Sequence, residues 1–177
     1  MVSLDGFIAG PNGELDWHVV DEEFNKYAEE MLNSAETILF GRITYEMMAA
    51  YWPQPEAIKN DPIIAGKMNS LDKIVFSKTL NEVGWNNATV VKNNLAVEVS
   101  KLKAQTGKDI LILGSGSIIA QLTEMDLIDE FRFIVNPVIL GGGKSQFNEN
   151  LTRKQLKLTD IRSLASGIVI LYYQSIK

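Results

Sequence analysis

Residues 110–120 read Ile110-Leu111-Ile112-Leu113-Gly114-Ser115-Gly116-Ser117-Ile118-Ile119-Ala120. Four apolar residues in a row predict a short strand buried on both faces, and the glycine-serine alternation predicts a tight turn. Apolar residues then return at helical spacing, so a helix is expected from Ser117 to about Met125. A buried strand that turns directly into a helix is half of a βαβ unit, and such units build layered α/β sheets.

The same grammar extends in both directions. Upstream, Asp21 is placed to cap a helix running to about Asn33, with Phe24, Tyr27, Ala28, Met31 and Leu32 on one face. Thr37 to Phe40 reads as a buried strand ending at Gly41, and a helix follows from about Thr44 to Tyr51, stopped by Pro53. Asp61–Leu71 is expected to be helical and Lys73–Ser77 a strand. Thr89–Lys92 reads as a weaker strand before an amphipathic helix over Leu95–Gln105, closed by Gly107. Downstream, Ile128–Val135 reads as a strand and Pro137–Phe147 as a glycine-rich loop. Gln155–Ser163 and Ile168–Ser175 read as an antiparallel pair across Ala165-Ser166-Gly167. Met1–Ile8 also reads as a strand, shortened because only two residues precede Ser3, with a turn at Gly10-Pro11-Asn12-Gly13. The expected fold is a single α/β domain over 1–177, with a mixed, mostly parallel central sheet and a C-terminal antiparallel pair.

Composition narrows the function. A length of 177 residues with 46% hydrophobic and 22% charged residues suits one globular domain. A net charge of −5 argues against generic nucleic-acid binding, which needs a basic surface. With no cysteine and one histidine, His18, thiolate chemistry is excluded and neither a metal site nor a histidine-centred triad is expected. No apolar run approaches the roughly 18 residues that span a bilayer. No basic region followed by an apolar stretch opens the sequence. A cytoplasmic enzyme is the expectation.

Three predicted strand ends carry anion-binding residue types. Gly41-Arg42-Ile43-Thr44 opens a helix, where backbone N–H groups, the positive helix end and a guanidinium attract phosphate. Gly114, Ser115, Gly116, Ser117 and Ile118 form a second turn of that kind, without the third glycine of the dinucleotide fingerprint. Ser77 and Lys78 form a third, suited to a phosphate on an adenosine ribose. Each alone reads equally well as a helix cap, a tight turn or a solvated lysine. Together they suit one long ligand bearing several phosphates at the carboxyl edge of a sheet.

Four segments resemble one family: Ser3-Leu4-Asp5-Gly6-Phe7-Ile8-Ala9, Gly41 to Glu46, Gly114 to Ser117, and Asn136-Pro137-Val138-Ile139-Leu140-Gly141-Gly142-Gly143. In this order they are similar to the dihydrofolate reductase-like superfamily. The nearest branch is that of the C-terminal reductase domain of the bifunctional riboflavin-biosynthesis deaminase-reductase. The resemblance implies a three-layer α/β/α fold, NADPH as cofactor and commonly a homodimer. It places Ile8 and Ala9 near the nicotinamide, Arg42 and Thr44 near the phosphates, Ser77 and Lys78 on the adenosine side, and Gly114 to Ile118 around the pyrophosphate. Pro11 to Trp17 would be a mobile loop over the reacting ring.

The substrate is left open. The chain lacks the paired-aspartate segment of the riboflavin enzymes at Gly41–Glu46 and a folate-tail arginine. Hydride transfer to a small pterin- or pyrimidine-like molecule is the leading expectation. Reduction of 5-amino-6-(5-phosphoribosylamino)uracil or of dihydrofolate, or nucleotide binding without turnover, are the alternatives. Asp21 and Asp5 are the candidate proton donors, each with a structural competitor: a helix cap for Asp21 and a turn for Asp5. Trp17, Trp52 beside Tyr51, and Gly142 before Lys144 are candidate substrate contacts, with core packing or plain loop as the competing role.

Overall fold

The computed structural model describes residues 1–147 and 151–176. The chain divides into two compact units, residues 25–118 and residues 1–24 with 119–177.

The unit of residues 25–118 is built on a parallel sheet. Its strands are β2 (Ala35–Gly41), β3 (Asp72–Phe76), β4 (Ala88–Val91) and β5 (Asp109–Ile112), in the order β4-β3-β2-β5. Gly41 pairs with Phe76, and Phe76 with Val91, so these strands end level with one another. Central position explains burial: Ile38, Leu39 and Phe40 of β2 are 0–1% exposed. Strand β5 lies at the end of this order, and Ile110 to Ile112 are half-buried, so the expected burial on both faces belongs to β2 instead.

Helices α2 (Arg42–Tyr51), α3 (Pro55–Asn60), α4 (Pro62–Ser70) and α5 (Leu95–Lys103) connect these strands. Helix α3 departs from the sequence reading. That reading left the residues between Pro53 and Asp61 unassigned, whereas Pro55 occupies the first turn of α3, where its fixed φ favours a helix start. Phe40, Tyr45 and Trp85 pack with ring centroids 6.2–6.4 Å apart. Beside them Lys73 of β3, 1% exposed, donates to the carbonyls of Met68 and Leu71 at 2.9 and 2.5 Å, with its ammonium 4.6 Å from the Trp85 ring centre. A buried lysine thus caps the end of α4, its charge met by carbonyl dipoles and a π face.

The other unit holds an antiparallel sheet of β6 (Glu130–Val135), β9 (Val169–Ser175) and β8 (Leu156–Ser163), in that order. This bears out the C-terminal antiparallel pair and adds β6 to it. A two-stranded sheet pairs β1 (Phe7–Ala9) with β7 (Lys144–Ser145), inside the expected glycine-rich loop. The N-terminal strand is thus shorter than Met1–Ile8. Val2 makes one parallel bridge to Val135, and Gly6 N–H donating to the Ser3 carbonyl turns the chain before β1. The boundaries between the units fall within α1 (Glu22–Ser34) and α6 (Gly116–Glu124). No helix among the described residues is long and apolar enough to cross a membrane.

Candidate coenzyme site

Parallel register brings the three predicted strand ends together. Gly41 ends β2 and Arg42 opens α2, Ser77 and Lys78 follow β3, and Gly114 and Ser115 follow β5. All lie at the carboxyl edge of one sheet. With strands about 4.8 Å apart, the rim from β4 to β5 runs about 14 Å. That length suits an extended dinucleotide; a lone phosphate would touch one or two strand ends. Charge along the rim is asymmetric, because Lys92 adds a second exposed ammonium at the end of β4, where its Nζ lies 2.8 Å from Asn81 Oδ1. The sequence reading missed Lys92, since β4 was its weakest strand and carried no motif.

Two hydroxyls hold the β2–β5 end of the rim. Gly41 N–H donates to Ser115 Oγ at 2.9 Å, and Ser115 N–H donates to Thr44 Oγ1 at 3.1 Å. The two loops are therefore clasped to each other. Gly114 has φ +66°, and a Cβ there would lie 3.2 Å from Thr44 Cγ2, so glycine meets both a backbone and a space requirement. Ser115 itself has φ +35°, a left-handed backbone held by its three partners Gly41, Thr44 and Ile118. Gly41 contributes no side-chain cap to α2, which starts at this rim. α6 starts there too, at Gly116. Two helix N-termini therefore present positive dipole ends at one edge.

Not every predicted ligand is uncommitted. Arg42 is exposed and makes an i,i+4 pair with Glu46, Nη1 to Oε2 at 2.8 Å. An anion would compete with a neighbouring carboxylate in water, a pairing worth only about 0.3–0.5 kcal/mol. Ser77 Oγ accepts from Leu80 N–H at 2.9 Å and so shapes its own turn, while the Lys78 side chain is exposed. Trp52 lies at the far end of α2, about 15 Å along the helix from Arg42. Its indole N–H points to Met48 Sδ at 3.2 Å, and its ring meets Tyr51 edge-on at 5.0 Å. The structure thus keeps Trp52 away from the rim.

The other predicted residues lie in the unit that contains β1. Ile8 is half-buried and Ala9 buried in β1. Gly143 lies against the Ala9 carbonyl so closely that any Cβ would collide with it. Gly142 is half-buried between Gly141 and Gly143. Trp17 donates from its indole N–H to the Glu14 carbonyl at 3.0 Å and meets His18 edge-on at 4.3 Å. His18 has a buried Nε2 without a hydrogen-bond partner, and burial pushes its pKa down to about 4. No cluster of metal-ligating side chains occurs among the described residues.

Both candidate proton donors hold structural posts. Asp21 Oδ1 accepts from Phe24 N–H at 2.8 Å and caps α1, and this hydrogen bond holds its carboxyl below the ordinary range. Asp5 accepts from Ser3 Oγ at 2.6 Å, from Leu140 N–H at 3.2 Å and from Gly141 N–H at 2.8 Å. The Ser3 bond is the main cause of its lowered pKa. A proton donor needs the opposite shift. Asn136, fully buried, does similar work: its Oδ1 accepts from Val19 N–H at 2.9 Å and pins the segment after Trp17. Its place in the Asn136-Pro137 motif was visible in the sequence, but its partner was not.

This α/β architecture has the dihydrofolate reductase-like fold. Dihydrofolate reductase from Enterococcus faecalis, complexed with NADP(H) and RAB-propyl, aligns with a TM-score of 0.61 at 17% identity over 99% of this chain and 93% of that one. A provisionally assigned riboflavin biosynthesis protein from Shewanella sp. PV-4 aligns with a TM-score of 0.76 at 25% identity, covering 99% and 96% of the two chains. Within that class the chain belongs to the RibD C-terminal domain family, whose model matches residues 1–170. YyaP of Bacillus subtilis (strain 168), itself uncharacterized, is 38% identical over 172 residues, 97% of this chain and 90% of that protein. A reductase-like role follows from this membership.

Proposed function

We propose that the protein is an NADPH-dependent reductase that transfers a hydride to a small pterin- or pyrimidine-like substrate. One observation carries the reading. The carboxyl ends of β3, β2 and β5 line up in a single rim that offers two helix N-termini, Arg42 and Lys78. These donors fit a ligand with a pyrophosphate and a further ribose phosphate. The starts of α2 and α6 would take the pyrophosphate, and Lys78, with Lys92 along the rim, would take the third phosphate. Bound NADPH supplies the hydride; the chain supplies binding and orientation. Asp5 and Asp21, ionised near neutrality, position loops in this scheme, and neither donates the proton.

That same ionisation supports a second reading, in which the chain binds the nucleotide without turnover. One experiment addresses both. Titrate NADPH and NADH against tryptophan fluorescence, then follow loss of reduced-nicotinamide absorbance with dihydrofolate, pterins and aminopyrimidines. Selective NADPH binding with turnover of a candidate is expected. Selective binding with no turnover favours the second reading, and no binding of either nucleotide refutes both. Lys78→Ala is expected to narrow the preference for NADPH over NADH; an unchanged ratio removes Lys78 from the site.

A further inference from the structure

The first turn of α2 reaches both neighbours of β2. In the order β4-β3-β2-β5, the connections that follow β5 and β3 lie on opposite flanks of β2 and of the helix it feeds. Thr44 serves one flank, where its hydroxyl accepts from Ser115 N–H. Tyr45, the next residue, serves the other: its hydroxyl accepts from Trp85 N–H at 3.2 Å.

Trp85 is the one buried residue of the connection 77–87. Its indole N–H donates to Asn69 Oδ1 at 2.6 Å, and its ring stacks on Phe40, the residue before Gly41, at 6.2 Å. Its backbone N–H has the Tyr45 hydroxyl as acceptor, and a buried N–H left without one is costly. Packing alone does not call for that hydroxyl. The buried Tyr45 ring meets Phe40 and Trp85, and a phenylalanine ring would make the same contacts. What the oxygen adds is a fixed separation between α2 and the connection after β3.

Both cations proposed for the third phosphate depend on that connection. Lys78 lies on it, and Lys92 Nζ bonds to Asn81 Oδ1, which lies on it too. The turn at Gly114 and Ser115 does not, because it is clasped to α2 from the other flank. We infer, on the NADPH reading above, that Tyr45 is a positioning residue for coenzyme selectivity: its hydroxyl holds the 77–87 connection, with Lys78 and Lys92, at the distance from the start of α2 that suits a third phosphate. A nucleotide without that phosphate is indifferent to the hydroxyl.

Tyr45→Phe removes the hydroxyl and keeps the ring. Fluorescence titration should show its NADPH affinity reduced about fivefold, the scale of one hydrogen bond, with NADH affinity within about twofold of the parent. Thr44→Val, on the other flank, should weaken both nucleotides alike and leave their ratio unchanged. Hydrogen exchange without nucleotide should be faster at the Trp85 amide of Tyr45→Phe, which reads the released bond independently of binding. A parent with no preference for NADPH overturns the coenzyme reading and this inference together. A selective parent whose preference survives in Tyr45→Phe, or whose two affinities fall alike there, overturns the role of Tyr45 alone. An unchanged Trp85 amide does the same.

Discussion

Ser115→Ala is the sharpest perturbation of the rim. It deletes one oxygen, creates almost no cavity and leaves the left-handed backbone with the same Cβ. What it removes is the acceptor 2.9 Å from the buried Gly41 N–H. A buried donor left unpaired costs about 1–3 kcal/mol. For a chain of this length about 1 kcal/mol moves Tm by 2–4 °C, so the variant should melt about 2–12 °C below the parent. Ser115→Gly loses the same acceptor but relieves left-handed strain worth roughly 1 kcal/mol, and should melt between the two. Thr44→Val removes the other half of the clasp, the acceptor for Ser115 N–H. The two changes should therefore couple by at least about 0.5 kcal/mol in a double-mutant cycle. Thermal unfolding by circular dichroism reads the parent, the three single variants and the double variant, and NADPH titration should show the clasp variants binding more weakly. A Ser115→Ala protein within about 0.5 kcal/mol of the parent, or strict additivity with Thr44→Val, would refute the clasp.

Three further outcomes are expected. Arg42→Ala should leave the melting temperature nearly unchanged, since its partner Glu46 is exposed, while weakening NADPH binding. Glu46→Gln should tighten binding by freeing the guanidinium; equal affinities in both variants would place Arg42 outside the site. Asp5→Asn replaces one acceptor with a donor facing Leu140 and Gly141, so hydrogen exchange at those two amides should accelerate. Unchanged protection would show that the loop holds itself. His18 titrates near 4 in the folded chain against an ordinary 6.5, so between these values only the unfolded chain takes up the proton. Stability should thus fall as pH drops from 6.5 to 4 and be unaffected by His18 above that window. Urea unfolding of His18→Gln should be flatter across the window, and an identical slope would reject the assignment.

The sequence by itself determined most of the element types, though not α3 or β7, and the residue chemistry at the main turns. Ile110–Leu113 before Gly114, and Thr37–Phe40 before Gly41, are local signals: apolar runs exclude water and glycine allows the turn. Asp21 as a cap was equally legible, because a cap is made within one helical turn. Tertiary structure alone decided what depends on distant partners. Only parallel register set Lys78 and Ser115 on the same rim as Arg42. Ser115 and Asp5 carry ligand-type side chains in the sequence, and only the fold reveals their hydrogen bonds across 74 and 136 positions. Local preference is written along the chain; which residues meet depends on cross-strand pairing, and pairing is settled only when the sheets form.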